Sequence, residues 1–226
     1  MLIVLLKSTQ LAENTGMAMR AMINTGVTEL RLISPQHGWP NTTAHLASAE
    51  KSHLLNVNVF ASIEDAIQDL NIVFAATARR RNMISRIYSP DIISEYNNSP
   101  NRIGVLFGNE KSGLSNADVS LCNAVIEIPN SGFSSYNLAQ AVLLICYQNF
   151  MKPKLNEVHL GKTVPSSQKH VDALVNLLEQ KLEKKHYFPS SDKQILMMQT
   201  IRNFFKRSIP TLQEIQSLFG AISSLQ

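Results

Sequence analysis

Over the first 150 residues, apolar runs of strand length alternate with stretches whose apolar positions recur at helical spacing. The runs at 2–6, 30–33, 57–60, 72–76, 103–107 and 125–128 end in glycine, proline or polar residues, which predicts strands. Between them, 14–24 places Met17, Ala18, Ala21 and Met22 on one helical face before Gly26. Ser62-Ile-Glu-Asp65 has capping-box spacing, with Asp in place of Glu or Gln, and opens a helix through residue 70. Further helices are predicted near 43–48, at 115–121 with Ser115 or Asn116 as cap, and at 137–150. Trp39, in the loop before 43–48, is expected to cover a core edge, and polar 95–101 to be a surface connection. Strand–helix alternation of this kind predicts an α/β fold with a mainly parallel sheet, whose ligands sit at the carboxyl ends of strands. The loops at 14–20, 77–81, 108–113 and 129–137 can converge there.

Past residue 150 the strand signal stops. Residues 151–166, with Pro153, Gly161 and Pro165, read as a linker, and three helices follow at 168–185, 192–207 and 211–223. Leu174, Leu177, Leu178 and Leu182, with Ile195, Leu196, Ile201, Phe204 and Phe205, can pack them into a small helical unit. The expected organisation is a domain over 1–150, a linker over 151–166 and a helical extension over 167–226.

Composition narrows the class. Hydrophobic residues make up 44% and charged residues 17% of the chain, and no apolar run nears the roughly 18 residues of a membrane span. The start, residues 1–7, is too short for a secretion signal, so a cytoplasmic location is expected. Cys122 and Cys146 lack metal spacing and sit among apolar residues, as buried reduced thiols do. Charge is uneven: residues 1–150 hold 10 Lys/Arg against 11 Asp/Glu, and the remainder hold 11 against 6. A basic helical tail on a near-neutral domain fits a polyanion partner, and equally a solvated helical surface.

Candidate chemistry gathers in 102–137. Gly108 and Gly113 let backbone approach a ligand, while Glu110, Ser135 and Asn137 offer a carboxylate, a hydroxyl and an amide. Arg79, Arg80, Arg81 and Arg86 crowd the loop after the fourth strand, where they are either solvated or bind phosphate. The loop from Gly108 to Ser115 has the spacing of a phosphate loop, but Leu114 stands where the lysine is needed. No dinucleotide glycine fingerprint follows the first strand, and no zinc cluster is present, so no metal is expected.

Glu13-Asn14-Thr15-Gly16 with Arg20 resembles the first motif of the SPOUT (TrmH-like) RNA 2′-O-ribose methyltransferases. Phe107-Gly-Asn-Glu110 with Gly113-Leu114 resembles the second, and Ile128-Pro129 with Ser135-Tyr136-Asn137 the third. Leu178-Glu179, 201–207, Glu214 and 218–222 are similar to the helical C-terminal region of the TrmJ branch, which methylates tRNA at nucleotide 32. The resemblance implies a C-terminal trefoil knot, S-adenosyl-L-methionine as cofactor, tRNA as partner and a homodimer. It implies that Ala76, Thr77, Ala78, Gly108, Ile128, Ser134, Ser135, Tyr136 and Asn137 cradle the cofactor. Asn14, Arg20, Glu110, Ser135 and Asn137 become the catalytic constellation, with Arg20 either the base or the holder of phosphate and alkoxide. The arginine-rich loop, with Arg202, Lys206 and Arg207 of the extension, becomes the RNA-binding set. Two departures bear on substrate choice: Leu11-Ala-Glu13 where relatives carry His-Pro-Gly, and Asn109 where arginine is usual. The alternatives are another tRNA or rRNA nucleotide, or a non-catalytic RNA-binding protein on the same scaffold.

Overall fold

The computed structural model describes residues 1–78, 86–96, 101–132, 135–151 and 164–224. Its strands are β1 (Leu2–Lys7), β2 (Glu29–Ile33), β3 (Asn56–Phe60), β4 (Ile72–Ala76), β5 (Ile87–Tyr88), β6 (Ile103–Phe107) and β7 (Ala124–Ile126). They form one seven-stranded sheet in the order β3-β2-β1-β6-β4-β7-β5, parallel at every pairing. Because successive side chains point to opposite faces, apolar runs bury both. Val4, Leu6, Leu32, Phe74 and Val105 meet α1 (Ala12–Asn24) and α6 (Leu138–Phe150) through Met19, Met22, Val142 and Ile145. On the other face, Ile3, Leu5, Val73, Ala75 and Leu106 meet α3 (Ile63–Ile67) and α5 (Asn116–Ser120) through Ile63, Ala66, Ile67 and Val119. Trp39 is partly buried against the first face, ahead of α2 (Thr42–Ala47).

The differences from expectation have physical causes. The last strand stops at Ile126 rather than 128, because it pairs with Ala76 and Tyr88, where both neighbours end. Two-residue β5 is too short to leave a periodic signal. Within 95–101, Tyr96 ends α4 (Ile92–Tyr96) and packs its ring 6.0 Å from that of Phe74; residues 97–100 lie outside the described set. The capped helix from Ser62 ends at Ile67, although Leu70 is fully buried.

The extension consists of α7 (Gln168–Lys184), α8 (Ser191–Ser208) and α9 (Leu212–Ser224), around Val171, Leu174 and Ile215 with Phe205 and Ile222. The packing differs from expectation at Ile195, Leu196 and Phe204, which are 60%, 63% and 60% exposed. The extension is pinned to the sheet by Asn123. Its Oδ1 accepts from the Val73 amide (2.7 Å) and Gln168 Nε2 (3.2 Å), and its Nδ2 donates to the Lys206 carbonyl (2.7 Å). Lys206 is therefore no RNA contact. Its side chain is 1% exposed, and Nζ donates to the Leu121 carbonyl at 3.0 Å. Burial pushes its ammonium below the ordinary lysine range, against the pull of Asp172. Most of the expected linker, 152–163, lies outside the described residues.

Candidate active site

Strands β1, β4, β6 and β7 end side by side, so the segments that follow them meet above one edge of the sheet. Helix α1 begins at Ala12 with Leu11 as N-cap, a side chain with no oxygen to satisfy the first amides. Glu110, from the loop after β6, supplies it. Its Oε2 accepts from the Gln10 amide at 3.0 Å, and its Oε1 from the Leu11 amide at 3.4 Å and from Asn14 Nδ2 at 3.2 Å. A carboxylate at this end also meets the positive pole of the helix. Asn14 Oδ1 in turn accepts from Asn137 Nδ2 at 3.0 Å. Asn137 is the N-cap of α6, with its Oδ1 on the Ala139 amide at 2.9 Å. Burial opposes ionisation of Glu110, but the amides and Asn14 outweigh it and hold the carboxyl below its ordinary value.

Beside this chain of side chains lies a cavity of about 450 Å³. Phe107, Ile128, Leu138 and Ala141 give it apolar walls, and Thr77, Ser135 and Tyr136 add hydroxyls. Its volume is that of a site burying a ligand of nucleoside size, in the range of roughly 300–1,000 Å³. Gly108 shapes the rim: a Cβ there would lie 2.3 Å from the Gly113 carbonyl carbon, so a side chain would force the loop open. The Tyr136 hydroxyl donates to the Pro129 carbonyl at 2.9 Å and closes the other rim.

Residues 1–147 match the SpoU rRNA Methylase family. This chain belongs to the SpoU methylase family. Its members are S-adenosyl-L-methionine-dependent RNA methyltransferases, and the fold is the SPOUT fold. A crystal structure of TrmJ from Z. mobilis ZM4 is 33% identical, covers 98% of this chain and 97% of its own, and superposes with a TM-score of 0.84. The tRNA (cytidine/uridine-2′-O-)-methyltransferase TrmJ of Pectobacterium atrosepticum is 28% identical over 99% of this chain and 95% of its own length. An uncharacterized tRNA/rRNA methyltransferase of Haemophilus influenzae is 33% identical over 64% of this chain and 61% of its own length.

In this SpoU methylase, Ala76, Thr77, Ala78, Gly108, Ile128, Ser135, Tyr136 and Asn137 all line the one cavity, together with Glu110. Ser134 lies outside the described residues, as do Arg79, Arg80 and Arg81. Asn14, Glu110 and Asn137 are joined by hydrogen bonds, and Ser135 shares their rim. Arg20 is not brought to them within one chain. It lies on the exposed stripe of α1 with Glu13 and Met17, while Asn14 faces inward. Arg86 is exposed. Arg202 is half-buried and reaches Asp172 at 3.7 Å, and Arg207 is half-buried with Nε on the Asn203 carbonyl at 3.3 Å.

The structure gives Asn109 a role and adds Lys111, which the sequence had not singled out. Asn109 Nδ2 donates to the Ser8 carbonyl at 2.7 Å, and its Oδ1 accepts from the Lys111 amide at 2.9 Å. The departure from arginine at 109 thus serves to latch the loop to the end of β1. Lys111, beside it, brings a cation to the cavity. Its place three residues after Gly108 was the available signal.

Proposed function

We propose that this SpoU methylase transfers a methyl group from S-adenosyl-L-methionine to a ribose 2′-hydroxyl of tRNA, at the cytidine or uridine of position 32. The observation that carries the reading is the Glu110–Asn14–Asn137 chain at the mouth of the 450 Å³ cavity, built from three segments far apart in sequence. The apolar walls suit adenine, and the hydroxyls and backbone of the rim suit its polar edges and the amino-acid part. When bound, the cofactor supplies an electrophilic methyl. The residues supply alignment, which carries much of the rate in such transfers. Asn137 and Ser135 hold the ribose edge, and Glu110 fixes Asn14 and the amino end of α1 rather than taking the proton. Arg20 offers a planar fork of N–H donors and no acceptor. Its role is to hold the target nucleotide's phosphate and the developing alkoxide, and that phosphate takes up the 2′-hydroxyl proton as the methyl leaves the sulfonium sulfur.

Full-length likeness to the Pectobacterium enzyme, extension included, supports tRNA. A homodimer is supported by the surface around Arg20: Met17 of α1 and Leu143, Leu144 and Tyr147 of α6 are 53%, 43%, 39% and 49% exposed on helices that pack together. A second copy covering that stripe would bury them and enclose Arg20. The test is transfer of labelled methyl to total tRNA by the purified chain, with the modified nucleotide mapped. Label at the 2′-oxygen of nucleotide 32 is expected, and RNA without label refutes the reading. Leu11-Ala-Glu13 in the first motif favours a second target, another tRNA or rRNA nucleotide, which the same map identifies.

A further inference from the structure

His37 belongs to none of the three motifs. It sits on the loop after β2 and reaches Thr9, between β1 and α1, and Thr15, in the first turn of α1. Its Nδ1 lies 2.7 Å from the Gly38 carbonyl, and a carbonyl can only accept, so the proton is on Nδ1. In the neutral imidazole, Nε2 then presents a lone pair. That lone pair is shared by two hydroxyls, Thr9 Oγ1 at 3.2 Å and Thr15 Oγ1 at 3.0 Å. Both threonines are 0% exposed, so water does not replace the contact. The Gln36 amide donates to the Thr9 carbonyl at 3.1 Å, which ties the same two loops through the backbone.

The two threonines bracket the donors that Glu110 accepts from: the Gln10 and Leu11 amides and Asn14 Nδ2. We propose that His37 is a positioning residue for methyl transfer, one imidazole that clamps both ends of the 9–15 segment so that its donors meet Glu110 and Asn137 in register. The proposal rests on the 2′-O-methyl transfer reading. His37 does not line the cofactor cavity, so its influence passes through the segment and not through the ligand.

The experiment compares the full chain with His37→Ala, His37→Gln and the pair Thr9→Val with Thr15→Val. Amide exchange at Gln10 and Leu11 is read alongside kcat and the KM for S-adenosyl-L-methionine. In His37→Ala, exchange should rise and kcat fall by at least about tenfold, as misplacement of a catalytic group does, with KM within about threefold of wild type. His37→Gln keeps an amide oxygen near the Nε2 position and should restore most of kcat. The valine pair should match His37→Ala, and adding His37→Ala to it should change little, because coupled groups are not additive. Unchanged exchange, unchanged kcat, or effects that add would overturn the proposal. If the wild-type chain modifies no RNA, the function reading fails by itself, and exchange alone decides whether His37 holds the segment. If His37→Ala does not fold, the valine pair decides.

Discussion

Glu110 caps a helix that starts about one hundred residues earlier in the chain. Replacing it with alanine leaves the amides of Gln10 and Leu11 and the Asn14 side chain without their acceptor, a cost of about 1 kcal/mol at a partly solvated site. Activity should fall further than stability, since Asn14 loses its orientation toward Asn137. The acid dependence follows from the sign of the shift. The folded carboxyl titrates below 4.5, so its contribution is fully present above the unfolded value and is lost as pH falls through the folded one. Denaturant unfolding from pH 7 to pH 3 should show Glu110→Gln losing less stability than wild type, and parallel curves would contradict this. Burial pushes the Cys122 and Cys146 thiols up to about 12. Neither should react with a thiol reagent at pH 8 until denaturant is added, and prompt reaction of the native protein would show an open site.

At the scale of elements, Asn123 holds β4 and the extension at once. Asn123→Ala strands the Val73 amide in a buried place and leaves the Lys206 carbonyl only the Ile209 amide at 3.4 Å, at a cost of about 2 kcal/mol measurable by chemical denaturation. Digestion should then release the extension before the sheet. Most strands were legible, because a strand buried on both faces is a plain apolar run between turn residues. The buried charge of Glu29 hid the start of β2, where it pairs with Arg31. Arg31 is 4% exposed and donates to Asp69 at 2.6 Å, a pairing no local pattern reveals. The start of α1 was hidden likewise, since its cap comes from Glu110 and not from a neighbour. The candidate cofactor residues came from the resemblance to three motifs, and those described line the same cavity. His37 was not legible, because its partners are 22 and 28 positions away with no sequence pattern linking them.

For the whole molecule, the basic residues expected to meet RNA divide between surface and interior. Lys206 is structural, whereas Arg86 is exposed on the loop before β5. If the protein holds RNA as proposed, Arg86→Ala should lower the slope of log affinity against log salt by about 0.7–0.9, the share of one phosphate contact. Lys206→Met should leave that slope unchanged and alter the unfolding midpoint. Binding measured over a salt series separates the two, and equal slopes for Arg86→Ala and wild type would remove Arg86 from the interface.

The attachment through Asn123 has a consequence for how a target is chosen. A swinging appendage would raise the local concentration of RNA without saying which nucleotide reaches the cavity. If the extension grips RNA as proposed, its fastening to β4 through Asn123 would hold a constant distance between that grip and the cavity. On that reading the protein would measure its substrate as a ruler does, selecting a nucleotide by its span from a grip point as well as by the identity of its base.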